Sequence, residues 1–145
     1  MGCGMLSERT FASGYRVSEQ PCPFCTLSSE RVWLANDHAL AFRDGFPISP
    51  GHTLVIPRRH YASVFEVPPE VSTALWRLVA EVRGALTAEV SPDGFNVGVN
   101  DGIAAGQTVM HGHVHVIPRL DGDVADPRGG IRWVVPDKAV YWDQE

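Results

Sequence analysis

The chain reads as an α+β fold built on a five-stranded antiparallel sheet that carries one long helix. Three observations predict this. Short apolar runs alternate with polar residues at the period of half-buried strands, turn-forming Asn, Asp, Gly and Pro separate those runs, and one stretch from Pro69 onward switches to helical spacing. At 145 residues the chain is large enough to bury a core without disulfide or metal staples. Its 44% hydrophobic and 20% charged residues are those of an ordinary soluble domain, and no segment approaches the roughly 20 apolar residues of a membrane span. A net charge of −5 argues against general nucleic-acid binding, which needs a basic face. A small phosphorylated ligand, held by a local cluster of donors, stays open.

Residues 1–20 read as an irregular arm ahead of a single domain spanning 21–145. The arm lacks the charged-then-apolar order of a secretory signal, so the cytoplasm is the expected location. Cys3, Cys22 and Cys25 are too few for a disulfide framework. The pair in "CPFC" has three readings: half of a zinc site, which would draw two more ligands from the histidines, a redox dithiol, or two plain reduced thiols. "RVWLANDHALAFRDG" follows, with two alternating runs flanking Asn36 and Asp37 as a hairpin and His38 exposed in its turn. "GHTLVIPRRH" is a third strand ended by Pro57, with Arg58 and Arg59 facing solvent. Pro69 and Glu70 open a helix whose Val71, Leu75, Leu78, Val79, Val82 and Leu86 form one apolar stripe before Ser91 and Pro92 stop it. Trp76 is expected to pack. "GFNVGVN" is a fourth strand, with Phe95, Val97 and Val99 on one face. The Gly-containing "DGIAAGQTVM" then offers backbone N–H groups and the Thr108 hydroxyl to an anion.

"HGHVHVIPR" is the fifth strand and the most informative stretch. Alternate strand residues share a face, so His111, His113 and His115 stand together while Val114 and Val116 point the other way. A solvated face would ordinarily carry Thr, Lys or Glu. Three imidazoles, which titrate near neutrality, point instead to proton transfer, nucleophilic attack or metal ligation. A catalytic three-His metal site is disfavoured because the rings lie in a row and the motif carries no carboxylate.

"NDGIAAGQTVMHGHVHVIPR" and the upstream "AFRDGFPISPGHTLVIPRRH" together strongly resemble the histidine triad (HIT) family of nucleotide hydrolases and transferases. The resemblance covers roughly residues 22–119. It implies that His113 is a nucleophile attacking the α-phosphorus of a nucleotide, and that His115 and His52 hydrogen-bond around it. It further implies phosphate contacts from Gln107 and Thr108, a nearby polar position at Asn100, ribose binding by Asp44, and Phe42 beside the base. Each residue also has a plainer role open to it: Asp44 and Asn100 as turn residues, Phe42 as core, His52 as a strand lining.

For the cysteines the resemblance implies structural zinc held by Cys22, Cys25, His60 and His111, with His111 orienting the strand and leaving His113 free. It adds a short helix and a homodimer whose sheets join edge to edge. The implied activity is hydrolysis of a dinucleoside polyphosphate or adenosine phosphoramidate through a nucleotidyl-histidine, without an organic cofactor. Nucleotidyl transfer or phosphorolysis, or a nucleotide-binding regulatory module with little turnover, are the alternatives. Beyond the resemblance, "DPRGGIRWV" is either a segment whose Arg132 and Trp133 close over a long ligand or a structural turn.

Overall fold

The computed structural model describes residues 21–143; the arm expected over 1–20 lies outside them. Strands β1 (Val32–Ala35), β2 (Ala39–Arg43), β3 (Thr53–Pro57), β4 (Gly94–Gly98) and β5 (Val114–Arg119) form one sheet, and helix α1 (Pro69–Val90) joins β3 to β4. The strand order is β1-β2-β3-β5-β4 with every neighbouring pair antiparallel. The expected five-stranded sheet and single long helix are therefore present. Other helical pieces among the described residues are short 3-10 turns, at Ser29–Arg31, Ile103–Ala105, Gly130–Val134 and Pro136–Lys138.

Local chemistry explains the elements. Asn36 closes the β1–β2 hairpin by accepting from the N–H groups of His38 and Ala39, and its amide donates to the Ala74 carbonyl of α1, pinning the hairpin to the helix. Pro69 at the first helical turn costs no hydrogen bond, and Ser91 ends α1 in a left-handed conformation, φ 46°. The helix buries the six residues of its apolar stripe, as the spacing predicts. Trp76 does not pack as expected: it is 41% exposed, because it lies one residue, about 100° of helix rotation, beyond Leu75 and off the stripe.

The sheet separates two cores. One face sets Ala39, Ala41, Val55, Val114 and Val116 against Leu75, Leu78, Val79, Val82 and Leu86 of α1. The other carries Phe42, Leu54 and Ile56, covered by Phe24, Leu27 and Leu40. Because Leu54 pairs with His115 and Val55 with Val114, the imidazole side of β5 faces away from the helix.

Two strands are shorter than the pattern suggests. β4 is an edge strand, and Val97 is largely exposed although Phe95 and Val99 pack on the helix-side core. β5 begins only at Val114, so His111 and His113 precede it. Their segment pairs with a loop instead: the Gly112 N–H donates to the Tyr61 carbonyl at 2.7 Å. A Cβ at Gly112 would lie 2.6 Å from the Val64 nitrogen and 2.7 Å from the Ser63 carbonyl carbon, so only glycine lets these backbones meet. Among the described residues no helix is long and apolar enough to cross a membrane.

Candidate active site and metal centre

Four groups from three distant parts of the chain converge at the start of the histidine segment. The ligand atoms of Cys22, Cys25, His60 and His111 all lie within 4.8 Å of one another. The Cys25 sulfur is 3.2 Å from His60 Nδ1, and His111 Nδ1 is 3.5 Å from the Cys22 sulfur and 3.6 Å from that of Cys25. With Zn–S of about 2.3 Å and Zn–N of about 2.1 Å, neighbouring ligands of a tetrahedral ion stand roughly 3.4–3.8 Å apart. The donor set thus has the size and chemistry for zinc. His111 is fully buried and its Nε2–H donates to the Pro57 carbonyl at 2.9 Å, which leaves the Nδ1 lone pair aimed at the sulfurs. Burial holds this ring below the usual histidine range, so it stays neutral, the form a metal requires. Cys25 is pushed up, first by burial and then by Cys22 beside it, a crowding that a cation between the two sulfurs would relieve.

His113 is set by the same segment. Its Nδ1–H donates to the His111 carbonyl at 2.7 Å, so the remaining lone pair is on Nε2. Phe24, the third residue of the cysteine turn, stands edge-on to the His113 ring at 5.3 Å between centroids, to His111 at 5.9 Å and to Phe42 at 5.3 Å.

On the far side of His113 a relay is assembled from β5 and the β2–β3 turn. The Ile48 N–H points to His52 Nδ1 at 3.3 Å, which assigns the His52 proton to Nε2. That Nε2–H donates to His115 Nδ1 at 2.9 Å, leaving the His115 proton on its own Nε2. The Asp44 carboxylate lies 3.4 Å from His52 Nε2 and accepts from the Phe46 N–H at 2.8 Å. Asp44 is therefore both a turn residue and a charge beside the relay. Burial, with His113 and His52 adding to it, pushes His115 down to about 4; burial also lowers His52, against the opposing charge of Asp44. Both rings are neutral near pH 7.

The remaining candidate residues are placed as follows. Gln107 is 2% exposed, its Oε1 accepts from the Gly102 N–H, and its two N–H donors serve the carbonyls of Ala62 and Val109. Its backbone N–H serves Gly102, so no donor remains for an anion. Gln107 braces the loop, and Thr108 beside it is exposed. Phe42 is core, at 1% exposure beneath Phe24. A carboxylate from outside the motif joins the histidines, because the β2–β3 turn brings Asp44 to His52 and His115. Asn100 is half-buried just past the end of β4. Phe24 escaped the sequence reading; its place between two candidate metal ligands was the available signal.

The segment after β5 is tied to itself. Arg132 donates to the carbonyls of Ala139 and Lys138 at 2.9 and 2.7 Å and lies over the Tyr141 ring. Arg128 pairs with Asp126, and the Trp133 indole donates to the Arg128 carbonyl. Trp133 is half exposed.

The five-stranded antiparallel sheet with one long helix and a histidine cluster on the face away from that helix defines the structural class. Residues 27–122 match the HIT domain model, and the chain belongs to the HIT domain family. It is 38% identical over 106 residues to an uncharacterised HIT-like protein of Saccharolobus solfataricus, covering 70% of this chain and 76% of that one. It is 41% identical over 109 residues to adenylylsulfatase HINT3 of Arabidopsis thaliana, covering 72% of this chain but only 55% of that longer protein. Among solved structures, a Zn-bound histidine triad family protein from Mycobacterium smegmatis aligns with a TM-score of 0.64 at 34% identity, covering 72% and 79% of the two chains. Cys22, Cys25 and the tail beyond residue 122 fall outside the HIT match.

Proposed function

We propose that this chain is a nucleotide hydrolase that cleaves at the α-phosphorus of a dinucleoside polyphosphate or adenosine phosphoramidate and releases a nucleoside monophosphate. The observation that carries the reading is the 2.7 Å hydrogen bond from His113 Nδ1 to the His111 carbonyl, which leaves Nε2 as the one free lone pair of a ring inside the histidine cluster. In the first step that lone pair forms a P–N bond as the bridging P–O or P–N bond of the substrate breaks; the leaving group departs as the free phosphate, or as the amine after its nitrogen takes a proton from solvent, and the water of the second step returns that proton. The ring becomes a cation whose Nδ1–H the His111 carbonyl stabilises. Water then attacks phosphorus, the nucleotidyl–imidazole bond breaks, and His113 is restored.

His115, neutral and with its proton on Nε2, donates to the phosphoryl oxygens where charge develops, and His52 holds it in that tautomer. Thr108 and Asn100 supply further polar contacts, and Asp44 accepts from the ribose hydroxyls. Bound zinc would be structural, since two thiolates and two imidazoles leave no open coordination position. Cys22, Cys25, His60 and His111 would hold it and so tie the turn at 22–25 to the nucleophile's segment. The relative named adenylylsulfatase supports chemistry at an adenylyl phosphorus. We also assign a homodimer joined through a sheet edge, for which edge strand β4 with its exposed Val97 is suited, and a cytoplasmic location.

The test is a product-resolved assay of dinucleoside polyphosphates, adenosine phosphoramidate and adenylyl sulfate, coupled to quenched mass spectrometry of the protein. A nucleotidyl adduct on His113 and a monophosphate product are expected. Turnover without an adduct would overturn the covalent route, product appearing only when an added phosphate acceptor is present would make the chain a transferase, and binding without turnover would make it a regulatory module.

A further inference from the structure

The turn that carries two of the four candidate metal ligands also carries the ring that lies against the nucleophile. Cys22 and Cys25 close the turn through a single backbone bond, Cys25 N–H to the Cys22 carbonyl at 3.1 Å. Phe24 stands between them and reaches His111, His113 and Phe42 at once. Cys25 is exposed and Phe24 only partly covered, so the turn is held by the packing of Phe24 on Phe42, Leu54 and Ile56 and by a 3.3 Å bond from the Thr26 hydroxyl to the Cys22 carbonyl. Four ligand bonds would hold it firmly. A second link runs through the backbone, because the carbonyl that fixes His113 belongs to the buried ligand His111.

We propose that Phe24 is a positioning residue that couples the metal centre to the nucleotide site, so that zinc and a nucleoside monophosphate bind cooperatively. This rests on the reading of His113 as the reacting group of a nucleotide site. When the four ligands are drawn together, the C-x-x-C turn is fixed and the Phe24 edge is pressed onto the His113 ring. When they are apart, the turn is free to pivot about its one backbone bond, and the ring that covers His113 leaves with it. Linkage makes the effect reciprocal: whatever factor zinc contributes to nucleotide affinity, the nucleotide contributes to zinc affinity.

The experiment measures the zinc dissociation constant by competition with a chromophoric chelator, with and without saturating AMP, alongside calorimetric AMP binding to zinc-loaded and zinc-free protein. In the wild type, AMP is expected to tighten zinc on the order of tenfold, and zinc to tighten AMP by the same factor. Phe24→Ala is expected to keep its zinc affinity without AMP within about threefold and to bring the coupling factor close to one, while Phe24→Tyr, which restores the aromatic edge, recovers it. Circular dichroism on each sample checks that the fold is retained.

AMP that binds normally yet leaves zinc affinity unchanged overturns the coupling while the nucleotide site stands. Coupling that survives Phe24→Ala overturns the role of Phe24 and assigns the link to the His111 carbonyl. No AMP binding to the loaded wild type removes the nucleotide-site reading itself, and the proposal with it.

Discussion

His111 and His115 are four residues apart, carry the same side chain and flank the same His113, yet their rings are wired in opposite senses. His111 gives its Nε2–H to the Pro57 carbonyl and turns Nδ1 toward two sulfurs. His115 accepts on Nδ1 from His52 and keeps its proton on Nε2. One ring thereby presents a lone pair to the cysteine sulfurs and the other presents an N–H. The difference lies in neither histidine: a backbone carbonyl decides the first tautomer, and a neighbouring imidazole, itself set by the Ile48 N–H, decides the second.

Changes along this axis should separate the two ends. The largest effect is expected at its centre, where His113→Ala removes the proposed nucleophile and should lower turnover by at least about 10^3-fold. Nucleotide binding, followed calorimetrically, should remain measurable because the neighbours supply affinity; near-normal turnover would end the covalent reading. Breaking the His111 end comes next. The Cys22→Ser, Cys25→Ser double variant should lose zinc, counted by elemental analysis, and its Tm should fall by roughly 10 °C, the shift that about 3 kcal/mol produces in a domain of this size. Full metal content in that variant would remove the proposed centre.

The His115 end responds to protons. With His115 held down to about 4 in the fold, against an ordinary value of 6.5, the native state binds fewer protons than the unfolded chain across that window. Its contribution to stability is therefore complete above about pH 6.5 and lost as the pH falls toward 4. Urea midpoints should decline over this range, and a His115→Asn variant should show a flatter profile; parallel profiles would assign the decline to other groups. The smallest effect is expected away from both ends, at Gln107. Replacing it with Ala leaves the Gly102 N–H and the carbonyls of Ala62 and Val109 without their partner, a destabilisation of about 1–3 kcal/mol, with AMP affinity changed little. A large loss of AMP affinity at unchanged stability would return Gln107 to the phosphate site.

Much of this was legible in the chain itself, because local periodicity and turn chemistry act over a few residues. The six buried positions of α1, the Asn36 turn and the side of the sheet that His115 faces all follow from spacing. What escaped depends on packing between distant segments. Nothing within "DGIAAGQTVM" reveals that the Gln107 amide will be consumed by Ala62, 45 residues earlier. Nothing in "HGHVH" announces that Asp44 will arrive beside it from the β2–β3 turn. The late start of β5 has the same origin, since the loop at Tyr61 captures the Gly112 N–H that a longer strand would have used. Arg132 looked free in sequence because its partners are main-chain carbonyls, which any residue carries.

The crowding at Gly112 carries a consequence for how such a chain can change over time. Positions 63 and 64 press against the one residue between the first two histidines, a few residues along from His60, and leave no volume for a side chain there. A relative that carries valine or alanine at this point must hold its 61–64 loop farther off, which would alter the spacing between the positions of His60 and His111, two of the four candidate ligands. The two stretches should therefore drift together, and a library that randomises 112 alone should return almost only glycine, while one that randomises 61–64 with it should recover bulkier pairs.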